Sequence, residues 1–210
     1  MFHGRAILPD HVFYGKINAM KNKKQIIVMM GGPGVGKGTF STMLMTQHPY
    51  THIEAGAILR AEPLDSPVGR LISVGDLVPD KLVCNLMQAR LTGNTDIILD
   101  GFPRTLGQAK WLVENYANKY NIHVLYLYTD TETLIKRIHK RLNAGSTRHD
   151  DTSLKIIRHR LENFQNITMP AVDWLRTAPG IHFSAIDANG SVDENYAEIT
   201  NALNQWHEIP

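Results

Sequence analysis

Residues 31 to 39, Gly31-Gly-Pro-Gly-Val-Gly-Lys37-Gly-Thr39, gather glycines, one lysine and one hydroxyl into a single short run. A backbone so free of Cβ atoms can curl until successive N–H groups point inward at one anion. A helix opening at Lys37 would turn its positive end to the same point. Lys37 adds a mobile point charge, so the chemistry expected here is capture of a phosphate chain. The general pattern places Ser or Thr directly after the lysine. Here Gly38 holds that place and the hydroxyl comes one later, at Thr39.

A second run, Leu99-Asp-Gly-Phe-Pro-Arg-Thr-Leu-Gly-Gln108, closes an apolar stretch with a carboxylate and then presents a guanidinium. Asp100, at a strand end, can accept hydrogen bonds from magnesium-bound water. Gly101 permits close approach, and Pro103 stiffens the turn that carries Arg104. Arg104 can grip a phosphate by two parallel hydrogen bonds. Further cations stand at Arg60, at Arg137 and Arg141 four apart on one predicted helix face, and at Arg148, Arg158 and Arg160. Taken singly, a strand-end aspartate also reads as a helix cap, and an arginine pair as a solvated face.

The elements that must position these residues alternate in type. Short apolar runs at 25–30, 96–100, 122–128 and 181–186 lack polar alternation, as buried parallel strands do. Helices are predicted at 37–47, 56–62, 80–92, 105–118, 131–142, 152–166 and 192–206. The fold class is therefore α/β, three layers with a central parallel sheet of P-loop type. Residues 54–80 and 143–151 fit the sheet poorly and read as excursions over a central crevice. Residues 25–210 form one domain in this reading, and residues 1–24 are an N-terminal extension, either a loose arm or a segment upstream of a start at Met20.

The Lys-Gly-Thr ending of the glycine loop resembles the nucleoside monophosphate kinases, the adenylate kinase family in particular, and the resemblance runs from about residue 24 to the C-terminus. It implies phosphoryl transfer from Mg·ATP to AMP. By that resemblance Gly34, Val35, Gly36, Lys37, Gly38 and Thr39 hold ATP together with Arg137, Arg141 and Gly190, the last in the loop Asp187-Ala-Asn-Gly-Ser-Val192. The acceptor would meet Ala55, Arg60, Asp76, Leu77, Val78, Gly101, Arg104, Arg148 and Arg160, with Gln108 reading the adenine edge. Lys37, Arg104, Arg137, Arg148 and Arg160 carry the catalytic charge, and Asp100, through water, and Thr39 serve Mg²⁺. Arg148 with Asp150-Asp151 matches the lid; Arg158 competes with Arg160 for the arginine of the returning helix. By the same resemblance residues 54–80 are a small helical insert that binds the monophosphate and 143–151 a lid, the interval 143–147 suiting the short form, without zinc.

The pattern also breaks. The family carries Ser or Thr-Gly-Asp where this chain reads Glu54-Ala-Gly-Ala57, keeping Gly56 and Arg60. Ala55 occurs in pyrimidine monophosphate kinases too and favours UMP or CMP, whereas Gln108 favours AMP. Ala57 removes an acid of the magnesium water network, which leaves a catalytically weak nucleotide-binding regulator as a rival of a different class.

Composition narrows the rest. Twenty-two Lys and Arg against 20 Asp and Glu leave a net charge of +2, with no basic stripe for nucleic acid. No apolar run approaches the ~20 residues of a membrane span. Cys84 is the single cysteine, so no intramolecular disulfide forms, and a cytoplasmic, reducing compartment is expected. The ten histidines show no ligand spacing. A monomer is the expectation.

Overall fold

The computed structural model describes residues 23–143 and 153–208. In chain order, β1 (Lys24–Met30) leads through the glycine loop into α1 (Lys37–Gln47), and β2 (Thr51–Glu54) into α2 (Ala55–Arg60), α3 (Pro67–Ser73) and α4 (Asp80–Gln88). Next come β3 (Ile97–Asp100), α5 (Leu106–Tyr116), β4 (Tyr120–Tyr128) and α6 (Thr131–Asn143). After the segment 144–152, α7 (Leu154–Asn163) passes through one π-helical turn (Phe164–Thr168) into α8 (Met169–Leu175), followed by β5 (Ile181–Asp187) and α9 (Val192–Glu208).

All strand pairings are parallel, in the order β2-β3-β1-β4-β5, which puts the most apolar strand in the middle. Side chains alternate across a strand. Ile26, Val28 and Met30 therefore join Met87, Leu112 and Val172 on one face, while Ile27 and Met29 join Phe40, Leu44, Ile138 and Ile199 on the other. Both faces are covered, which is why β1 reads as one continuous apolar run.

Three elements were not foreseen. β2 is only four residues long and ends in a charged residue. In α3, Pro67 sits where a helix has no partner for its N–H anyway, and Ser66 caps the turn by accepting from the Gly69 N–H at 2.9 Å. Pro170 would break a continuous helix beyond residue 166; after the wider π turn it falls in the first turn of α8, where no N–H is needed. The insert of 54–80 thus holds two short helices, whereas the N-terminal extension to residue 22 and the lid interval 144–151 lie outside the described residues.

Among the described residues no helix is long and apolar enough to cross a membrane. At the far edge of the sheet His182 lies edge-on to His123, ring centroids 4.5 Å apart, and stacks on Trp206 at 6.3 Å. His123 in turn meets Ser184 Oγ at 2.9 Å. Burial holds the His182 imidazole below its ordinary value of 6.5.

Truncating Leu112, which is fully buried, leaves a cavity between α5 and the sheet. Leu112→Ala should lower the unfolding free energy in urea by about 2–5 kcal/mol. For His182, the unfolded chain takes up the proton first as pH falls. The contribution of the neutral ring is complete above 6.5 and is lost between there and its depressed folded value. Chemical denaturation at pH 7.5 and 5.5 should show that loss, with a smaller difference in His182→Phe.

Candidate active site

At the end of β1 the chain turns through glycines that side chains would disrupt. Gly34 has φ +87°, and a Cβ there would lie 2.9 Å from the Leu134 carbonyl oxygen and 2.8 Å from Ile138 Cγ1. Gly36, at φ +112°, starts α1. Lys37 folds back over the loop, its ammonium donating to the carbonyls of Gly31 at 2.7 Å and Gly32 at 3.0 Å. From α6, Arg137 donates to Val35 O at 3.3 Å and to Ala188 O at 2.8 Å. Asn195 holds the same turn by donating to Ala188 O and Gly190 O. Val35, Arg137 and Gly190, separated by 155 positions in sequence at their extremes, are thereby one cluster.

The parallel register sets Asp100 opposite Met29 on one side and Glu54 on the other. Asp100 is 6% exposed, and a Cβ on Gly38 would stand 3.8 Å from its Oδ2. Burial pushes the Asp100 carboxyl up; Lys37 pulls it down, Glu54 adds to the rise, and His52 and Arg104 oppose it. Such a carboxyl gains from any cation that stabilises its charged form. Among the described residues no group of three or more His, Cys, Asp or Glu could hold an ion by protein ligands alone. Asp100 with the exposed Thr39 fits a hard ion that keeps its water and takes its other oxygens from phosphate, as Mg²⁺ does.

On the other side of Asp100 three arginines approach one another. A Cβ on Gly56 would lie 2.8 Å from Arg60 Nη1 and 3.5 Å from Arg104 Nη2, so the two guanidinium groups flank that glycine. Arg104 donates from Nε to Gly101 O at 3.0 Å, and Arg60 pairs with Glu54 at 2.6 Å. Arg160 projects from α7 into the crevice beside Lys37, Gly101 and Arg104. Arg104 and Arg160 also line an adjoining cavity whose walls include Leu77, Val78 and Gln108.

The insert is fastened to α7 over this cavity. Asp76 Oδ1 meets His159 Nε2 at 2.6 Å, and Asn163 donates to Gly75 O at 3.0 Å. The fastening is possible because a Cβ on Gly75, at φ +86°, would strike Arg160 Cγ at 2.9 Å.

Of the residues predicted from sequence, Arg60, Asp76, Leu77, Val78, Gly101, Arg104, Gln108 and Arg160 share the cavity walls. Ala55 is packed in the core at the start of α2, 1% exposed, so of the two residues that disagreed over the acceptor base it is Gln108 that faces the cavity. Arg158 lines a neighbouring groove that Gly32 and Val35 of the glycine loop also border, with Tyr128 and Glu162, whereas Arg160 lines the crevice that holds Lys37 and Arg104. Arg141 lies on α6, but its side chain, like Arg148 and Asp150-Asp151, is outside the described residues. Sequence reasoning missed Glu54, Asp80, His159 and Asn163. Only the first two carried a signal, as acids that end a strand or begin a helix.

A central parallel strand that runs into a glycine loop and a lysine-initiated helix defines a P-loop α/β protein. Comparison with known proteins narrows the class. Residues 29–179 match the family model described as adenylate kinase. The chain is 37% identical to an adenylate kinase of Prochlorococcus marinus over 190 residues, 86% of this chain and 97% of that protein. It is 33% identical to one of Porphyromonas gingivalis (87% and 97%) and 31% identical to one of Mesoplasma florum (84% and 99%). The chain belongs to the adenylate kinase family, whose members are phosphotransferases.

Gly34→Ala tests the loop directly. The positive φ and the approach to a backbone oxygen should destabilise the protein by about 1–3 kcal/mol and weaken ATP binding at least tenfold. Thermal melts with and without ATP would read both.

Proposed function

We propose that this chain transfers the γ-phosphoryl group of ATP to AMP, giving two ADP, with Mg²⁺ carried by the nucleotide. The observation that supports it best is that Arg104 and Arg160 line both the crevice of the glycine loop and the adjoining cavity, so one pair of guanidinium groups faces donor and acceptor at once. An oxygen of the acceptor phosphate forms the new bond to the γ-phosphorus as the bond to the bridging oxygen of ADP breaks. No protein nucleophile is required, and the protein's work is alignment, charge and exclusion of water.

Each group has a part in that work. The loop N–H groups and Lys37 hold the phosphate chain of ATP. Arg137, tied to Val35 and Ala188, sets the border of the donor site, with Gly190 beside it, and Arg141 would add its charge to the triphosphate by the family resemblance. Arg60 and Arg104 seat the acceptor phosphate, and Arg104 and Arg160, with Arg148 from the lid, meet the charge that spreads over the equatorial oxygens. Asp100 and Thr39 would orient the water shell of Mg²⁺, which when bound neutralises the phosphate oxygens. Asp76, Leu77, Val78 and Gln108 enclose the adenine of AMP, and the insert and lid close over both nucleotides. The single, buried Cys84 suits a cytoplasmic setting, and a site built within one chain suits a monomer.

The experiment is a coupled assay of ADP formation with Mg·ATP and AMP, UMP, CMP or GMP, using Asp100→Ala as the control. Fast, Asp100-dependent turnover with AMP is the expected result; preference for a pyrimidine acceptor or no turnover would overturn the proposal. Arg104→Ala should lower kcat/KM by ~10³ or more, as loss of an arginine that stabilises a phosphoryl transition state does. Arg104→Lys should recover little of it, because an ammonium cannot form the paired hydrogen bonds of a guanidinium. A loss below tenfold in Arg104→Ala would remove the residue from catalysis.

A further inference from the structure

Gln108 is 2% exposed, yet it lines the acceptor cavity, and both ends of its amide are already engaged. Its Oε1 accepts from the Arg104 backbone N–H at 2.8 Å, and its Nε2 donates to Asp80 Oδ1 at 2.8 Å. The two partners are unambiguous: a backbone N–H can only donate, and a carboxylate can only accept. Neither would tolerate the amide turned end for end. Asp80 is itself pinned from the far side, where Thr105 Oγ1 donates to its Oδ2 at 2.7 Å. Thr105 also caps α5, accepting from the Gln108 N–H at 3.1 Å. Gly107 completes the arrangement, since a Cβ there would lie 2.7 Å from Asp80 Oδ2.

We propose that Asp80 is a positioning residue that fixes the direction of the Gln108 amide and thereby selects an acceptor base by the order of its hydrogen-bonding groups. The inference rests on reading the cavity as the acceptor site. With one N–H given to Asp80 and one lone pair to Arg104, the amide keeps one N–H and one lone pair for a ligand. Their order across the cavity is set. Adenine presents a ring nitrogen that accepts beside an amino group that donates. Hypoxanthine has the same shape with that order inverted, an N–H beside a carbonyl. If the amide could rotate by half a turn it would serve either base equally. Held by a carboxylate on one side and a backbone N–H on the other, it serves one, and a base of the wrong order leaves buried polar groups facing their like. Cytosine shares the adenine order, and guanine and uracil share that of hypoxanthine, so the device sorts bases by pattern and leaves size to the walls.

Inosine monophosphate is therefore the probe. The quantity to measure is the ratio of kcat/KM for AMP to that for IMP, in the whole chain, with ATP saturating. Asp80→Asn lets the side chain at 80 donate as well as accept, and should lower the ratio at least tenfold, mainly through a higher KM for AMP, with the KM for ATP within twofold of wild type. Gly107→Ala should do the same without touching the charge, because its Cβ displaces the carboxylate; it also serves if Asp80→Asn folds poorly. Gln108→Ala should lower the ratio too, and the double variant Asp80→Asn with Gln108→Ala should match Gln108→Ala alone, since Asp80 acts through Gln108. A ratio unchanged in both Asp80→Asn and Gly107→Ala, but lowered in Gln108→Ala, overturns the role of Asp80 and leaves the acceptor reading standing. A ratio unchanged in Gln108→Ala overturns both.

Discussion

The parallel pairing of β1 with β3 sets Met29 opposite Asp100, and the remaining parts of the site are arranged around that register. Because the two strands end within one residue of each other, the glycine loop leaving β1 and the Gly101 turn leaving β3 open onto one crevice. A shift by one residue would turn the side chain of Asp100 to the other face of the sheet and separate the carboxylate from Gly38. The register is held by the fully buried run of Ile26 to Met29 against Ile97 to Leu99, whose side chains have no alternative environment of comparable burial. The two cores on either face of the sheet thus stabilise an alignment of backbones, and the alignment places the charges.

Those charges come from distant segments: Lys37 from the loop, Arg60 from the insert, Arg104 from the turn after β3, Arg160 from α7. Bringing like charges together is unfavourable, and the protein tempers it with local acceptors. Lys37 rests on two carbonyls, Arg60 on Glu54, and Arg104 on Gly101 O. An incoming phosphate offers more charge than these partners and can replace them. The cluster is thereby kept assembled for an anion, with its geometry set in advance by the strand ends and the helices that carry it.

Much of this was legible in the residues, and the reasons differ by element. The glycine loop and the turn carrying Arg104 are local: their function depends on neighbours in sequence, so spacing alone reveals them. The long helices and the other four strands follow from periodicity and apolar runs. β2 escaped because Thr51-His-Ile-Glu54 holds a single apolar residue, where the equally short β3 holds three in a row, and α8 because Pro170 reads as a stop until a π turn is placed before it. The choice between Arg158 and Arg160 could not be made from spacing, since two residues on a helix point about 200° apart and only packing shows which side meets the crevice. Ala55 and Gln108 pulled toward different acceptors for a related reason, as sequence does not say which faces the cavity.

What sequence could not carry at all are the contacts between elements that are individually unremarkable. Asp76 and His159 are ordinary surface types, and Asp80 looks like the first acid of a helix, as it also is. Asp80 stands at two helix starts, opening α4 and facing the capped end of α5, where the positive end of each favours a carboxylate. That placement lets one side chain stabilise the junction and hold Gln108 in the same act. The insert then has two attachments: to α5 through Asp80, beside the acceptor base, and to α7 through Asp76 and Asn163, beside Arg160. The second joins partly exposed side chains, and the first joins groups that are more buried. The attachment to α5 is thus the more enclosed of the two, and it is the one that holds Gln108.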